Sequence, residues 1–250
     1  MAPAPVLILG ASGGVGAALA RRLAALGTPL VLHGRDADRL AGVAEDLSDA
    51  VLATRSADAL DPEDLTAAVA ALAEAAGGRL SGLAYCIGSI PLMPLKRVTA
   101  GAMAETYALN VTGALIAVQA AAPALGAAAG GGAVVLFSSV AAGRGFPNHA
   151  VIGAAKAGVE GLTRSLAAEL APKVRVNAIA PSLTRTAMAA PLTASEAMVK
   201  GLAKAHPLPR LGAAEDQAAM AAVLLDPAHG WVTGQVIGVD GGRGALVGKG

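Results

Sequence analysis

Short apolar runs alternate with longer, alanine-rich amphipathic segments from one end of the chain to the other. Short apolar runs are typical of buried strands, and apolar residues at helical spacing are typical of helices that pack on one face. The pattern predicts strands over residues 6–9, 30–33, 51–53, 82–86, 133–137, 174–179 and 235–239. It predicts helices over residues 15–26, 37–47, 62–76, 103–122, 150–170 and 213–225.

This alternation predicts a doubly wound α/β fold in which seven parallel strands carry helices on both faces. No shift in composition marks a second domain, so we expect one domain over residues 1–250. The alternation is interrupted over residues 188–209, where three prolines and a short helical segment near residues 195–205 follow the sixth strand. Because ligands of such sheets bind beyond the carboxyl ends of the strands, this segment is predicted to be a substrate lid, with a plain surface loop as the alternative.

The composition excludes several classes of partner. A net charge of +1, from 19 Lys and Arg against 18 Asp and Glu, provides no basic surface for nucleic acid or anionic lipid. Residues 2–20 and 109–143 contain no charged side chain, but glycines and other breaks interrupt them, so neither is predicted to span a membrane. The single cysteine, Cys86, cannot form an intrachain disulfide. We expect a cytoplasmic protein that acts on a small molecule without a metal ion.

A glycine-rich turn joins the first strand to the first helix, with the sequence Gly10-Ala11-Ser12-Gly13-Gly14-Val15-Gly16. Glycines let the backbone turn tightly and approach a pyrophosphate, whose charge is attracted by free N–H groups at the helix start. The position between a strand and a helix favours a Rossmann-type dinucleotide site over a simple turn. The residues expected to contact the cofactor here are Gly10, Ser12, Gly13, Gly14, Val15 and Gly16.

The end of the second strand indicates which cofactor is used. A site for NAD(H) needs a carboxylate there to accept from the adenosine ribose, but Gly34 occupies that place. Arg35 follows and is able to hold a 2′-phosphate through its guanidinium, so NADP(H) is favoured over NAD(H). Asp36 and Asp38 leave NAD(H) open, and Arg35 as a solvated loop charge is the remaining alternative.

The segment from Ser139 to Lys156 resembles the active site of the short-chain dehydrogenase/reductase family. In that family a Tyr precedes the Lys by four residues and a Ser precedes the Tyr by thirteen. Ser139 and Lys156 match this spacing, whereas the Tyr position holds Ile152. The resemblance covers essentially the whole chain and implies a Rossmann fold.

The resemblance also implies roles for individual residues. Lys156 would hold the nicotinamide ribose, Ser139 would bind the substrate oxygen, and Asn110 would anchor a water in the proton relay. The further cofactor contacts that it implies are Asp58 and Ala59 at the adenine, Gly88 after the fourth strand, and Pro181 and Thr186 beside the nicotinamide. Where the family has Asn-Asn-Ala-Gly, this chain has Tyr85-Cys86-Ile87-Gly88. Members commonly form tetramers, so we expect a homo-oligomer, either a tetramer or a dimer.

The replacement of the tyrosine leaves the proton step without its usual carrier. Hydride transfer to a carbonyl produces an alkoxide that must be protonated, and an alkyl side chain has no proton to give. His149 lies three residues before Ile152 on the same predicted helix face, so it is a candidate donor; a locally bonded helix-entry residue is the alternative. Tyr107 is a second possible source, although a packing role is the more common use of such a residue.

Two functions remain open from the sequence. The first is an NADP(H)-dependent reductase or dehydrogenase that uses Ser139 and Lys156, with His149 or water in place of the phenol. Its substrate is a carbonyl or alcohol, or a related iminium or activated double bond. The second is a catalytically silent NADP(H)-binding protein that acts as a sensor or as a structural subunit.

Overall fold

The computed structural model describes residues 4–247; residues 1–3 and 248–250 of the predicted domain lie outside the described part. Within residues 4–247 the strands are β1 Val6–Leu9, β2 Leu30–Gly34, β3 Val51–Ser56, β4 Gly82–Tyr85, β5 Gly132–Phe137, β6 Val174–Pro181, β7 Thr184–Arg185, β8 Gly212–Ala213 and β9 Val236–Val239. The helices are α1 Gly14–Ala25, α2 Ala37–Asp46, α3 Pro62–Ala75, α4 Ala100–Tyr107, α5 Gly113–Gly126, α6 Val140–Gly143, α7 Ala150–Leu170, α8 Glu196–Lys204 and α9 Ala214–Leu225.

Seven of these strands form one parallel sheet in the order β3-β2-β1-β4-β5-β6-β9. All seven are strands that the apolar runs predicted, so the predicted α/β fold with a seven-stranded parallel sheet is confirmed. The two-residue strands β7 and β8 form a separate small pair that the sequence did not indicate. A strand of two residues is too short to produce an alternating pattern.

The sheet is buried on both faces by helices. One hydrophobic cluster joins one face to α3, α5 and α7, and the other joins the opposite face to α1, α2 and α9. Burial on both faces explains why strands such as β1 and β4 are apolar at every position rather than at alternate ones. Helix starts follow the expected chemistry: the Asp61 carboxylate accepts from the backbone N–H groups of Glu63 and Asp64, and Pro62 occupies the first turn of α3.

Helices α4 and α5 form one continuous helix that is interrupted by a π-helical segment over Ala108–Thr112. The helix Ala100–Gly126 is long and apolar enough to cross a membrane by length and composition alone. Half of its most apolar window is buried inside the protein, where α5 packs against α3 and β4. Burial against the protein's own sheet explains why this helix is apolar.

The sheet order creates a crevice between β1 and β4. Successive strands are added on one side of β1 as far as β3 and then on the other side from β4 onward. Loops at the carboxyl ends of β1 and β4 therefore separate, and open α/β sheets bind ligands at this point. The segment predicted as a lid follows β6 and contains a 3-10 helix over Ala187–Leu192 and helix α8. The predicted short helical segment near residues 195–205 is therefore confirmed.

Candidate active site

A cavity of about 480 Å³ opens at the carboxyl ends of β1, β4, β5 and β6. Its wall contains nine of the residues predicted from the sequence: Gly13, Gly14, Val15, Gly88, Ser139, His149, Lys156, Pro181 and Thr186. The other predicted site residues lie outside this wall: Gly10, Ser12, Gly16, Arg35, Asp58, Ala59 and Asn110. Residues from distant parts of the sequence thus line one cavity.

The glycine-rich turn is built by contacts that side chains would prevent. A Cβ at Gly16 would overlap the carbonyl oxygen of Gly10, and one at Gly14 would lie 2.7 Å from Cγ2 of Thr186. Gly10 has a φ of +79°, in the region that favours glycine. Helix α1 begins at Gly14, and its N-cap residue, Gly13, provides no side-chain cap; the first turn has no acidic residue. Its free N–H groups and the close backbone approach fit a bound pyrophosphate.

Two arginines lie near this turn, and one of them was not predicted. Arg35 follows β2 and is exposed to solvent. Arg39 lines the cavity, where its guanidinium donates a hydrogen bond of 3.0 Å to the carbonyl oxygen of Ser12. Asp36 caps α2 by accepting from the backbone N–H of Arg39 at 3.0 Å, so this carboxylate is already used by the helix. Arg39 lies in the first turn of α2, four residues after Arg35, and this proximity in sequence was the only local signal for it.

Asp58 and Ala59 follow β3, on the adenine side that the resemblance implies. Asp58 is exposed, and its carboxylate accepts a hydrogen bond of 3.0 Å from the backbone N–H of Leu60. Its own backbone N–H donates to the Asp64 carboxylate at 2.9 Å. Ala59 is buried in the core. These contacts fix the loop after β3 and leave the second carboxylate oxygen of Asp58 free to accept.

Ser139, the N-cap of α6 after β5, and Lys156, in α7, both line the cavity. The Ser139 hydroxyl oxygen accepts from the backbone N–H of Ala141 at 3.1 Å, which leaves its hydrogen available to donate to a substrate oxygen. The Lys156 ammonium donates to the carbonyl oxygen of Phe137 at 2.8 Å. Burial lowers the pKa of Lys156 to about 8, because a low-dielectric site disfavours the charged form. Ile152 lines the same wall, and none of the described lining residues is a tyrosine.

Asn110 lies in the π-helical segment, behind Gly88. A Cβ at Gly88 would lie 2.8 Å from Oδ1 of Asn110 and 3.3 Å from Nζ of Lys156, so both groups converge on this glycine. The amide nitrogen of Asn110 donates to the carbonyl oxygen of Thr106 at 2.9 Å. Its Oδ1 is buried without a hydrogen-bond partner among residues 4–247. A buried acceptor beside the cavity fits the predicted water-anchoring role, since such atoms in folded proteins usually bind a group or a water.

The departure at Tyr85 has a structural consequence. The Tyr85 hydroxyl donates a hydrogen bond of 2.8 Å to the carbonyl oxygen of Leu109, inside the π-helical segment. Tyr85 is buried, and burial raises the pKa of its phenol, so the hydroxyl remains protonated and acts as a donor. Tyr85 therefore supports the turn that presents Asn110.

His149 lies at the start of α7 and lines the cavity with Ile152. Its Nδ1 lies 2.7 Å from the carbonyl oxygen of Pro147. A carbonyl only accepts, so Nδ1 carries the hydrogen and Nε2 has the lone pair in the neutral ring. The preceding residue, Asn148, has a φ of +66°, and within residues 4–247 no other non-glycine residue lies in the left-handed region. This turn changes the direction of the chain just before α7 begins.

Tyr107, the second predicted proton source, lies elsewhere. A Cβ at Gly158 would lie 3.2 Å from its ring, so Tyr107 packs against α7, and it is not among the residues of the cavity wall.

A Ser–His pair at the cavity was not predicted. Ser182, directly after β6, lines the cavity, and its Oγ lies 2.8 Å from Nε2 of buried His206. Nδ1 of His206 lies 2.9 Å from the carbonyl oxygen of Leu202, so Nδ1 donates and Nε2 accepts from the serine hydroxyl. The two residues are 24 positions apart, and no local pattern connects them.

Arg243 was also missed by the sequence reasoning. It follows the last strand, lines the cavity and lies with Cζ 5.0 Å from the ring centroid of Phe146. Among residues 4–247 there is no cluster of three or more His, Cys, Asp or Glu side chains arranged to hold a metal ion. The charged side chains of the cavity wall are Arg39, Lys156 and Arg243, and the described wall has no carboxylate.

Comparison with known proteins agrees with this geometry. A family model described as enoyl-(acyl carrier protein) reductase matches residues 10–243. Cis-4-hydroxycyclohexanecarboxylate dehydrogenase of Sinomonas cyclohexanicum is 35% identical over 244 residues, which are 96% of each chain.

Two solved structures share the fold. A short-chain type dehydrogenase/reductase from Mycobacterium ulcerans has a TM-score of 0.91 and 35% identity, over 99% of this chain and 92% of that one. A gluconate 5-dehydrogenase from Burkholderia cenocepacia, in complex with NADP and tartrate, has a TM-score of 0.90 and 27% identity, over 99% and 97%. The chain belongs to the short-chain dehydrogenase/reductase family and is an oxidoreductase of that type, which acts on alcohols or carbonyls with a nicotinamide cofactor.

Proposed function

We propose that this protein is an NADP(H)-dependent oxidoreductase that interconverts a small alcohol and its carbonyl compound although Ile152 stands at the usual tyrosine position. The supporting observation is the convergence of Lys156 Nζ and Asn110 Oδ1 on Gly88, in a cavity that also exposes Ser139 and His149. The nicotinamide, when bound, supplies or accepts the hydride. The protein must bind the oxygen, exclude water and move one proton.

Ser139 and Lys156 act on the oxygen and on the cofactor ribose. The free hydrogen of Ser139 donates to the substrate oxygen and stabilises negative charge that develops there. The buried Lys156 ammonium binds the nicotinamide ribose and places a positive charge near the same oxygen. Residues 188–209 close over the substrate in this proposal, since Met188, Leu192 and Leu202 already line the cavity.

His149 is the proposed proton donor for reduction. Its Nδ1–H is held by Pro147, so the second ring nitrogen, Nε2, is the one available to exchange a proton with the substrate oxygen. In reduction the imidazolium releases its Nε2 proton to the alkoxide, and in oxidation the neutral ring accepts the alcohol proton. One proton then balances each hydride in either direction.

A second proton route runs through Ser182 and His206. The Ser182 hydroxyl lines the cavity and donates to His206 Nε2, so a proton taken from an alcohol by Ser182 is passed to the imidazole. This route, like that through His149, requires no group at position 152.

Single substitutions distinguish the two routes. In NADPH-dependent reduction of a ketone, we expect His149→Ala to lower kcat by roughly 100-fold or more, the usual scale for loss of a general acid. Ser182→Ala and the exposed control His229→Ala should leave kcat within about twofold of the wild-type value if His149 carries the proton. If His149→Ala is as active as wild type while Ser182→Ala is not, the proton passes through Ser182 and His206 instead.

The preference for NADP(H) rests on Arg35 and Arg39. Arg39 donates to the phosphate turn and Arg35 precedes α2 by two residues, whereas the Asp36 carboxylate caps α2. We expect Arg39→Ala to weaken NADPH binding by about 10- to 100-fold, as for a lost charge-assisted hydrogen bond, and to leave NADH binding nearly unchanged. Equal wild-type affinity for NADPH and NADH would contradict this preference.

The proposal includes a homo-oligomer, either a dimer or a tetramer, in the cytoplasm. A silent NADP(H)-binding sensor or structural subunit is the competing function, because Ile152 removes the usual proton carrier. NADPH binding without consumption, tested over ketones, quinones and imines, would support that competing function.

A further inference from the structure

Arg243 presents a guanidinium group to the cavity beside the proposed proton donor. Its Cζ lies 5.0 Å from the ring centroid of Phe146, and that ring lies 5.3 Å from the ring of His149. Stacking on an aromatic face holds a guanidinium in one orientation and leaves its N–H donors free. Arg243, Phe146 and His149 all line the cavity.

The backbone that carries Arg243 is fixed by a tight turn after β9. The Asp240 carboxylate accepts from the backbone N–H groups of Gly242 and Gly244, each at 2.8 Å. Gly241 and Gly242 have φ values of +64° and +85°, which the turn requires. The Arg144 side chain donates to the carbonyl oxygen of Arg243, tying the turn to the loop before α7. The backbone at Arg243 is thus fixed by the Asp240 carboxylate and by the Arg144 side chain.

The charge of Arg243 has no counterion in the described structure. The ion pairs found within residues 4–247 are Lys200–Glu196 and Arg210–Asp216, and neither of them includes Arg243. The nearest carboxylate along the chain, Asp240, is used by the backbone of the turn. Partial burial and the neighbouring charge of Arg144 lower the pKa of Arg243. A partly desolvated cation beside a like charge favours an anionic ligand.

The other two cations of the cavity wall already have partners. Arg39 donates to the carbonyl oxygen of Ser12 in the phosphate turn, and Lys156 donates to the carbonyl oxygen of Phe137. Arg243 is the cation of the described wall whose side chain makes no hydrogen bond to any of residues 4–247. Between these groups the wall is apolar, and it includes Ile90, Leu92, Ile152, Met188 and Leu192.

We propose that Arg243 and Phe146 bind a carboxylate group of the substrate, so that the substrates are hydroxy acids with an apolar body and the matching oxo acids. The inference rests on the proposed function, because it assigns the substrate class of the same cavity. The planar guanidinium fork matches a carboxylate through two parallel hydrogen bonds. The apolar wall contacts the body of the substrate, and the reacting oxygen lies at Ser139.

A pair of probes that differ only in charge tests this inference. 4-Acetylbenzoate and its methyl ester have the same ketone and the same aromatic body, but only the first has a carboxylate. With NADPH, we expect the wild-type protein to have a kcat/KM for the acid at least about tenfold above that for the ester. Arg243→Met should lower kcat/KM for the acid by about 10- to 100-fold and leave the value for the ester nearly unchanged. Arg243→Lys keeps the positive charge but loses the planar guanidinium, so its kcat/KM for the acid should lie between those of wild type and Arg243→Met.

A binding measurement separates this inference from the proposed function. Calorimetric titration of 4-acetylbenzoate into NADP-loaded protein requires no turnover. Binding by wild type and by the exposed control Arg79→Met, with loss in Arg243→Met, supports the carboxylate site even if no ketone is reduced. Equal binding of acid and ester by wild type, or unchanged binding of the acid by Arg243→Met, overturns it.

Discussion

The two ends of the cavity differ in how closely they follow the family pattern. At the phosphate turn, a side chain at Gly16 would overlap the Gly10 backbone, and side chains at Gly10 and Gly14 would crowd the Cys86 backbone and the Thr186 side chain. At the substrate end, the wall has Ile152 where the resemblance implies a tyrosine, and Ser182, His206 and Arg243 lie in places that no family motif indicated. We therefore expect cofactor binding to depend on backbone geometry, and the proton step and the choice of substrate to depend on side chains that change independently of the fold.

The largest effect is expected at the residue that serves both ends. In the proposed function the Lys156 ammonium binds the ribose and stabilises the substrate oxygen, so Lys156→Met should lower kcat/KM by about 100-fold or more. The variant should remain folded, because Lys156 is buried and methionine fills a similar volume. Initial-rate kinetics beside a circular dichroism spectrum measure both properties. Activity within about threefold of wild type would show that Lys156 takes no part in catalysis.

The phosphate turn itself is tested by Gly16→Ala. The added Cβ would overlap the carbonyl oxygen of Gly10, so the turn must shift. We expect a loss of about 1–3 kcal/mol in the free energy of unfolding and at least tenfold weaker NADPH binding. Gly42→Ala is the matched control, since nothing lies within 4 Å of its added Cβ. If both variants have the same free energy of unfolding in denaturant titration and the same NADPH affinity by cofactor fluorescence, the close contact of Gly16 with Gly10 is not required.

The substrate end is tested by restoring the missing phenol. Ile152→Tyr adds a proton donor to the cavity wall that also contains Ser139 and Lys156, so ketone reduction should become roughly tenfold faster. Ile152→Phe is the control for ring size, because it adds the ring without the hydroxyl. If both variants are equally slow, the cavity has lost the shape that a tyrosine requires.

The smallest effects are expected from pH. The pKa of Lys156 is lowered to about 8 by burial, so the reduction rate should decline as pH rises through this value. The cost of keeping this ammonium buried, about 3 kcal/mol at most, is present below pH 8. It disappears as pH rises toward the ordinary lysine value, because the unfolded chain then retains a proton that the folded protein has released. Lys156→Met should therefore be more stable than wild type at pH 7, by a margin that shrinks from pH 8 upward.

Most of the fold was predictable because the strands are buried on both faces and the helices on one. Helix α7 was predicted with both ends correct, and the seven sheet strands were placed to within a few residues. The π-helical segment leaves no periodic signal in five residues, and the hydrogen bond that Tyr85 donates to Leu109 within it joins residues 24 positions apart. The strands β7 and β8 leave no pattern at two residues each.

The candidate site was predictable where short motifs determine backbone geometry. The turn at residues 10–16 and the spacing of Ser139 and Lys156 are local signals, and the structure brings them to one cavity. Ser182 meets His206, and Arg243 meets Phe146, only through the folded chain. Such pairs depend on how loops after different strands converge, which local patterns do not record.

Deuterium transfer from NADPH labelled at both C4 positions is the decisive test of hydride transfer by this protein. We expect the wild-type protein to place one deuterium on the former carbonyl carbon of a ketone, and His149→Ala to slow this transfer sharply. Tight NADPH binding with no deuterium in the product, over ketones with and without a carboxylate, would contradict the claim that hydride transfer proceeds without a tyrosine at position 152.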